Sequence, residues 1–116
     1  MNRPQAFSPA AIARAQRISL LCLDVDGVLT DGQLIYTADG QEAKAFNTQD
    51  GAAIKLAQRQ GLEVAIITGR ESPMVTRRAA ELGIQLCYQG SEAKDEVLAQ
   101  LLLDSGRSPE AIAHMG

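Results

Sequence analysis

Hydrophobic positions along this chain fall into short runs that alternate with helical patterns. Residues 18–23 form a nearly continuous apolar run closing on Asp24, as a central parallel strand covered on both faces requires. Residues 63–67, 85–88 and 112–115 repeat that signature more briefly and predict a second, third and fourth strand. Helix signals lie between them. Ser8-Pro9, a cap followed by proline at the first helical position, predicts a short helix over residues 9–17. Asp50 is expected to cap a helix over 51–60, with Ala53, Ile54 and Ala57 on its apolar face and Gly61 ending it. Ser72-Pro73 opens another, which runs to Leu82 and stops at Gly83. Ser91 begins a further one through Leu103, with Val97, Leu98, Leu101 and Leu102 at core spacing, and Ser108-Pro109 starts a final turn.

One segment breaks the alternation. Gly27, Gly32 and Gly40 punctuate residues 29–46, and Ala38-Asp39-Gly40 carries a hairpin-turn signal. Residues 33–36 and 42–46 are therefore predicted to pair as a small antiparallel hairpin inserted after the first strand. The whole pattern predicts an α/β chain: a four-stranded parallel sheet flanked by helices, with the hairpin as a flap.

Composition narrows the classes. At 116 residues the chain is expected to form a single domain over 1–116. Eleven Lys plus Arg against fourteen Asp plus Glu give a net charge of −3, with no basic footprint for nucleic acid. No apolar run approaches the roughly 18 residues of a membrane span. The N-terminus has Arg3 but no apolar leader, so a cytoplasmic protein is expected. Cys22 and Cys87 sit in apolar stretches and fit buried, reduced thiols better than a disulfide.

The chemistry concentrates at predicted strand ends. Asp24-Val25-Asp26-Gly27-Val28-Leu29-Thr30 places two carboxylates where open α/β sheets bind ligands, and Gly27 permits the tight turn that lets both reach one crevice. Like charges so close need a cation or a shared proton. A turn-and-cap role would account for one aspartate, not for two after an apolar strand. The second strand ends in Thr68-Gly69-Arg70, which offers a hydroxyl, an unobstructed N–H and a planar fork suited to anionic oxygens. A helical crossover between parallel strands points their ends the same way, so Thr68 is expected beside Asp24. Lys94 lies at the start of the helix after the third strand, where a cation opposes the helix dipole unless a negative group holds it there.

These motifs together resemble those of the haloacid dehalogenase superfamily of phosphatases. In finer detail residues 23–32, Phe46-Asn47-Thr48-Gln49-Asp50-Gly51 and Tyr88-Gln89-Gly90 followed by Lys94 resemble the 3-deoxy-D-manno-octulosonate 8-phosphate (KDO 8-phosphate) phosphatases. The resemblance runs from about Ile18 to the end of the chain. It implies a Rossmann-like sheet with no large cap domain, and hydrolysis of a small-molecule sugar-acid phosphate in lipopolysaccharide synthesis. Asp24 would be the nucleophile and Asp26 the general acid and base. Asp24 and the Asp26 carbonyl would hold Mg²⁺. Thr68, Gly69 and Lys94 would stabilise the phosphoryl oxygens. Asn47, Thr48, Gln49, Asp50, Gly51, Lys55, Arg70 and Arg78 would contact substrate, although Lys55 and Arg78 also fit ordinary solvent-facing helix charges. The resemblance also implies a homotetramer in which the flap packs on a neighbour.

Members of that family continue past the strand matching residues 112–116 into two further aspartates of the metal site. A chain ending at Gly116 is expected to lose metal affinity and turnover by about 10–100-fold or more. Three readings stay open: a KDO 8-phosphate phosphatase, a phosphatase of another nonulosonate phosphate, and a catalytically impaired domain serving as a binding module. A natural protein that extends beyond this sequence is equally compatible with the motifs.

Overall fold

The computed structural model describes residues 8–116; the stretch around Arg3, where no leader was expected, lies outside the described residues. In chain order come α1 (Pro9–Gln16), β1 (Leu20–Leu23), β2 (Ile35–Tyr36), β3 (Glu42–Ala43), α2 (Thr48–Arg59), β4 (Glu63–Thr68), α3 (Pro73–Glu81), β5 (Leu86–Gln89), α4 (Lys94–Ser105), a 3-10 turn (Pro109–Ala111) and β6 (Ile112–Met115). The main sheet has the order β5-β4-β1-β6, and every pairing in it is parallel. The chain moves from β1 outward to β4 and β5, then returns past β1 to place β6 on its other side. That reversal makes the carboxyl ends of β1 and β6 the topological switch point of the sheet, where ligands bind in open α/β folds.

Alternation within the apolar strands explains why they are apolar throughout. Val64 and Ile66 join Leu23, Ile54, Val75 and Ala79 on the face covered by α2 and α3. Ala65 and Ile67 join Leu20, Cys22, Val97 and Leu101 on the face covered by α4. Side chains along a strand point to opposite faces, so a sheet covered on both sides needs apolar residues at every position.

Several expected boundaries shift for local reasons. Helix α2 is capped by Asn47, whose Oδ1 accepts from Gln49 N–H at 2.7 Å, and Asp50 sits in the first turn, favourable to the dipole. Helix α4 starts at Lys94 rather than Ser91, because Ser91 Oγ accepts from Ala93 N–H at 3.2 Å and closes a separate turn. The flap is shorter than expected, pairing only Ile35 with Ala43 and Tyr36 with Glu42. On α4 just one stripe meets the sheet: Val97 and Leu101 are buried, Leu102 is half-buried and Leu98 is exposed. Ala53 of α2 is likewise exposed.

Both cysteines are free; Cys22 is buried as expected, whereas Cys87 is only half-buried. They belong to β1 and β5, which have β4 between them, so roughly 9–10 Å separates their strands and a disulfide is out of reach. Burial pushes the Cys22 thiol up to about 11 and raises Cys87 as well, so neither is poised as a nucleophile. Among the described residues no helix is long and apolar enough to cross a membrane.

Candidate active site

The site begins where β1 ends. Asp24 N–H still donates to Met115 O at 3.0 Å, so the first carboxylate belongs to the last rung of the sheet. Its Oδ1 accepts from Val25 N–H at 2.8 Å. Val25 is 1% exposed and anchors the turn: its carbonyl accepts from the N–H groups of Val28, Leu29 and Thr30 at 3.2, 2.9 and 3.1 Å. Gly27 takes φ +85°, which a side chain would resist, and Thr30 Oγ1 accepts from Gly27 N–H and Gly32 N–H at 3.3 and 3.1 Å. Asp26 is thus held on a turn closed from both ends.

The neighbouring strand end supplies the next groups. Thr68 is buried, and its Oγ1 accepts from Arg70 N–H at 3.4 Å, which leaves its own hydroxyl proton free to donate elsewhere. Gly90 N–H donates to Thr68 O at 3.1 Å. A Cβ built on Gly69 would lie 3.5 Å from Glu92 Cγ, so the loop leading to Lys94 runs directly over Gly69. Asp24, Asp26, Thr68, Gly69, Arg70 and Lys94 therefore all lie along one edge of the sheet. Lys94 has no carboxylate within ion-pair distance among the described residues.

The N-terminus of α2 flanks this edge. Thr30, Asp31, Phe46, Asn47 and Asp50 line an open depression of about 390 Å³ beside the β1 turn. Thr48 and Gln49 are exposed at the same helix end. Gly51 is buried against α3, where a Cβ would clash with Arg78 Nη2. The Arg78 guanidinium stands 6.0 Å above the Phe46 ring and 3.6 Å from Glu81. Lys55 is different. Its Nζ lies 3.6 Å from a Cβ built on Gly83, at the turn between α3 and β5, which is the opposite edge of the sheet. One helical turn beyond Gly51 carries it down and away from the crevice.

Two groups were given no role from the sequence. The first is an ionic chain from the flap: Lys44 Nζ lies 2.7 Å from Asp26 Oδ1 and 3.1 Å from Glu42 Oε1, while Arg70 Nη2 lies 3.0 Å from Glu42 Oε2. The Glu42 Oε1 contact is off the hydrogen-bond axis, so it is an ionic contact rather than a hydrogen bond. The Lys44 side chain is 2% exposed. Burial alone would lower its pKa, but the two carboxylates more than offset that and raise it. The signal available was the i, i+2 spacing of Glu42 and Lys44 along a strand, which puts both on one face. The second is Gln89, whose Oε1 accepts from Ser72 N–H at 2.8 Å and whose Nε2 donates to Thr76 Oγ1 at 2.7 Å, tying the start of α3 to the end of β5.

A parallel sheet with a pair of carboxylates at its switch point and a Thr-Gly-Arg turn beside them defines a class. Residues 21–115 match the haloacid dehalogenase-like hydrolases, and the chain belongs to that family. Within it, the chain is similar to the 3-deoxy-D-manno-octulosonate 8-phosphate phosphatase KdsC of Escherichia coli strain K12, at 46% identity over 94% of this chain and 58% of that protein. Against KdsC of Haemophilus influenzae the identity is 40%, over 89% of this chain and 57% of that one. Among solved structures, the Moraxella catarrhalis phosphatase of the same name, in complex with a magnesium ion, a phosphate ion and a KDO molecule, superposes with a TM-score of 0.85. It is 44% identical and matches over 90% of this chain and 60% of its own. The Yersinia pestis phosphatase gives a TM-score of 0.88 at 41% identity, over 93% of this chain and 58% of that one. The chain thus spans less than two-thirds of the length of these relatives.

Proposed function

We propose that this chain carries the nucleophile and phosphate-binding elements of a Mg²⁺-dependent phosphomonoester hydrolase that converts KDO 8-phosphate to KDO and inorganic phosphate in lipopolysaccharide synthesis. The observation that carries the reading is the pair Asp24 and Asp26 on one closed turn at the switch point, in a chain 46% identical to a phosphatase of that name.

With Asp24 Oδ1 occupied by Val25 N–H, Oδ2 is the free oxygen. It attacks phosphorus, forming an aspartyl-phosphate as the bond from phosphorus to the sugar oxygen breaks. Asp26, protonated for this step, gives its proton to the leaving oxygen, then takes one from the water that hydrolyses the intermediate. Thr68 O–H, Gly69 N–H and Lys94 stabilise charge on the transferring phosphoryl group. Arg70, Arg78 and the segment Asn47, Thr48, Gln49, Asp50 and Gly51 address the sugar acid; Lys55, on the far edge, has no part in it.

The donor set suits Mg²⁺. The Asp24 carboxylate is a hard oxygen ligand, and the Asp26 carbonyl accepts no backbone hydrogen bond among the described residues. These two groups would hold the ion, the described residues forming no cluster of three or more metal-binding side chains. When bound, Mg²⁺ supplies charge neutralisation between carboxylate and phosphate. A cytoplasmic homotetramer is part of the same reading, supported by Leu34, Ile35 and Tyr36, which expose 54%, 41% and 61% of their surface on the flap.

Phosphate release with Mg²⁺ over a panel of sugar phosphates tests the reading, using this chain and a chimera carrying the C-terminal segment of the Escherichia coli relative. KDO 8-phosphate is expected to be turned over fastest. Faster release from another nonulosonate phosphate would reassign the substrate, and beryllofluoride trapped anywhere but Asp24 would overturn the mechanism. Sedimentation of the same proteins reads the oligomeric state.

A further inference from the structure

The ionic chain running from the flap into the β1 turn is not required by the fold of the sheet. Lysine is rarely so completely buried unless it is paired, and Lys44 is buried between two carboxylates contributed by different parts of the chain. Its ammonium takes Oδ1 of Asp26, and no hydrogen bond engages Oδ2 among the described residues. Glu42 holds the ammonium from the other side and reaches Arg70 with its second oxygen. Four side chains thus link the proton-transfer aspartate, the flap and the loop after β4.

We propose that Lys44 is a positioning residue for Asp26, with the docked flap fixing the carboxyl group so that Oδ2 is the oxygen that exchanges a proton with the leaving group and with water. The proposal rests on the phosphatase reading for its chemistry and on the ion pair for its geometry, and the two are testable apart. In the first step the Asp26 O–H bond breaks as its proton passes to the sugar oxygen, and the P–O bond to that oxygen breaks with it. In the second, a water O–H proton returns to Asp26 while the water oxygen bonds to phosphorus and Asp24 leaves. Lys44 keeps its proton throughout. Its role is to set the rotamer of the carboxyl group, and loss of Lys44 affects most the substrates whose leaving oxygen needs a proton.

The geometry is tested by hydrogen exchange on the full chain. Lys44→Met is expected to speed exchange of the flap amides at Thr37, which donates to Gln41 O, and at Ala43, paired with Ile35, by at least about 10-fold while the central strands stay protected. Asp26→Asn, which keeps the ammonium but removes the charge it holds, must loosen the same amides, and it decides the point if Lys44→Met does not fold. Unchanged flap exchange in both variants would overturn the proposal whether or not the protein is an active phosphatase. The chemistry is tested in the form that releases phosphate, by comparing KDO 8-phosphate with p-nitrophenyl phosphate, whose leaving group departs without a proton. Lys44→Met is expected to lower kcat for the sugar phosphate at least about 10-fold more than for the aryl phosphate, and Lys44→Arg to recover most of the difference. Equal losses on both substrates, or a change confined to KM, would make Lys44 a structural pin only and refute the positioning role. If the unaltered protein releases no phosphate from any substrate, the phosphatase reading fails and the positioning role fails with it, while the exchange result still decides whether the pair docks the flap.

Discussion

The turn after β1 and the flap that follows it adjoin in sequence, yet the chain holds them by different means. The turn hangs from Val25, which is 1% exposed and whose carbonyl collects three N–H groups. Leu29, buried at its far end, packs in the core under α2 and α3. In the flap every residue from 31 to 41 is exposed, and two residue pairs make up its ladder. Its ties to the rest of the molecule are charged: Lys44 to Asp26 and Glu42 to Arg70. Apolar burial gives the turn a fixed geometry, because a packed core tolerates little displacement. The ion pairs of the flap are of two kinds: water competes for the more exposed Glu42–Arg70 pair, whereas Lys44 is buried against Asp26.

The largest effect expected is on the rigid side. Asp24→Asn removes the proposed nucleophile without disturbing the ladder, and phosphate release is expected to fall at least about 10³-fold, with the fold intact by circular dichroism. A near-normal rate would place the chemistry elsewhere. Ile66→Ala empties a position that is 1% exposed beside Leu23, and urea denaturation should show a loss of about 2–5 kcal/mol. A much smaller loss would mean that the core under the turn is looser than its burial implies.

Smaller effects separate the regions further. Gly51→Ala adds a methyl that must displace the Arg78 guanidinium, the far end of a flexible side chain. Stability should change by no more than about 1 kcal/mol, since alanine favours the helix by about that much. KM should rise if Arg78 meets the substrate, and an unchanged KM would assign Arg78 to the surface of α3. The smallest effect is ionic. Raising salt from about 0.05 M to about 1 M should speed flap amide exchange roughly 2- to 3-fold through the exposed Glu42–Arg70 pair, and leave the exchange of β1 and β4 unchanged. Equal response in both regions would erase the distinction drawn between them.

Much of this was legible in the residue pattern. Strand periodicity located β1, β4, β5 and β6, and the position of Asp24 after an apolar run marked the strand end that matters. Caps were less legible: Asn47 and Asp50 are both good capping residues, and only the extended backbone at Asn47 decides between them. Lys55 shows the reverse error, since a basic residue one turn past Gly51 suggests the site until the helix direction carries it to Gly83.

By itself the sequence determined the element types, the two-sided burial of the central strands and the strand ends at which the carboxylates and the Thr-Gly-Arg turn lie. These follow from local propensity and periodicity, which act over a few residues. Only the tertiary structure decided the strand order that puts Asp24 at the switch point, the single stripe of α4 that meets the sheet, and the reach of Lys44 back to Asp26. Those depend on which distant segments share space, and a contact across eighteen residues leaves no mark in the spacing of either partner.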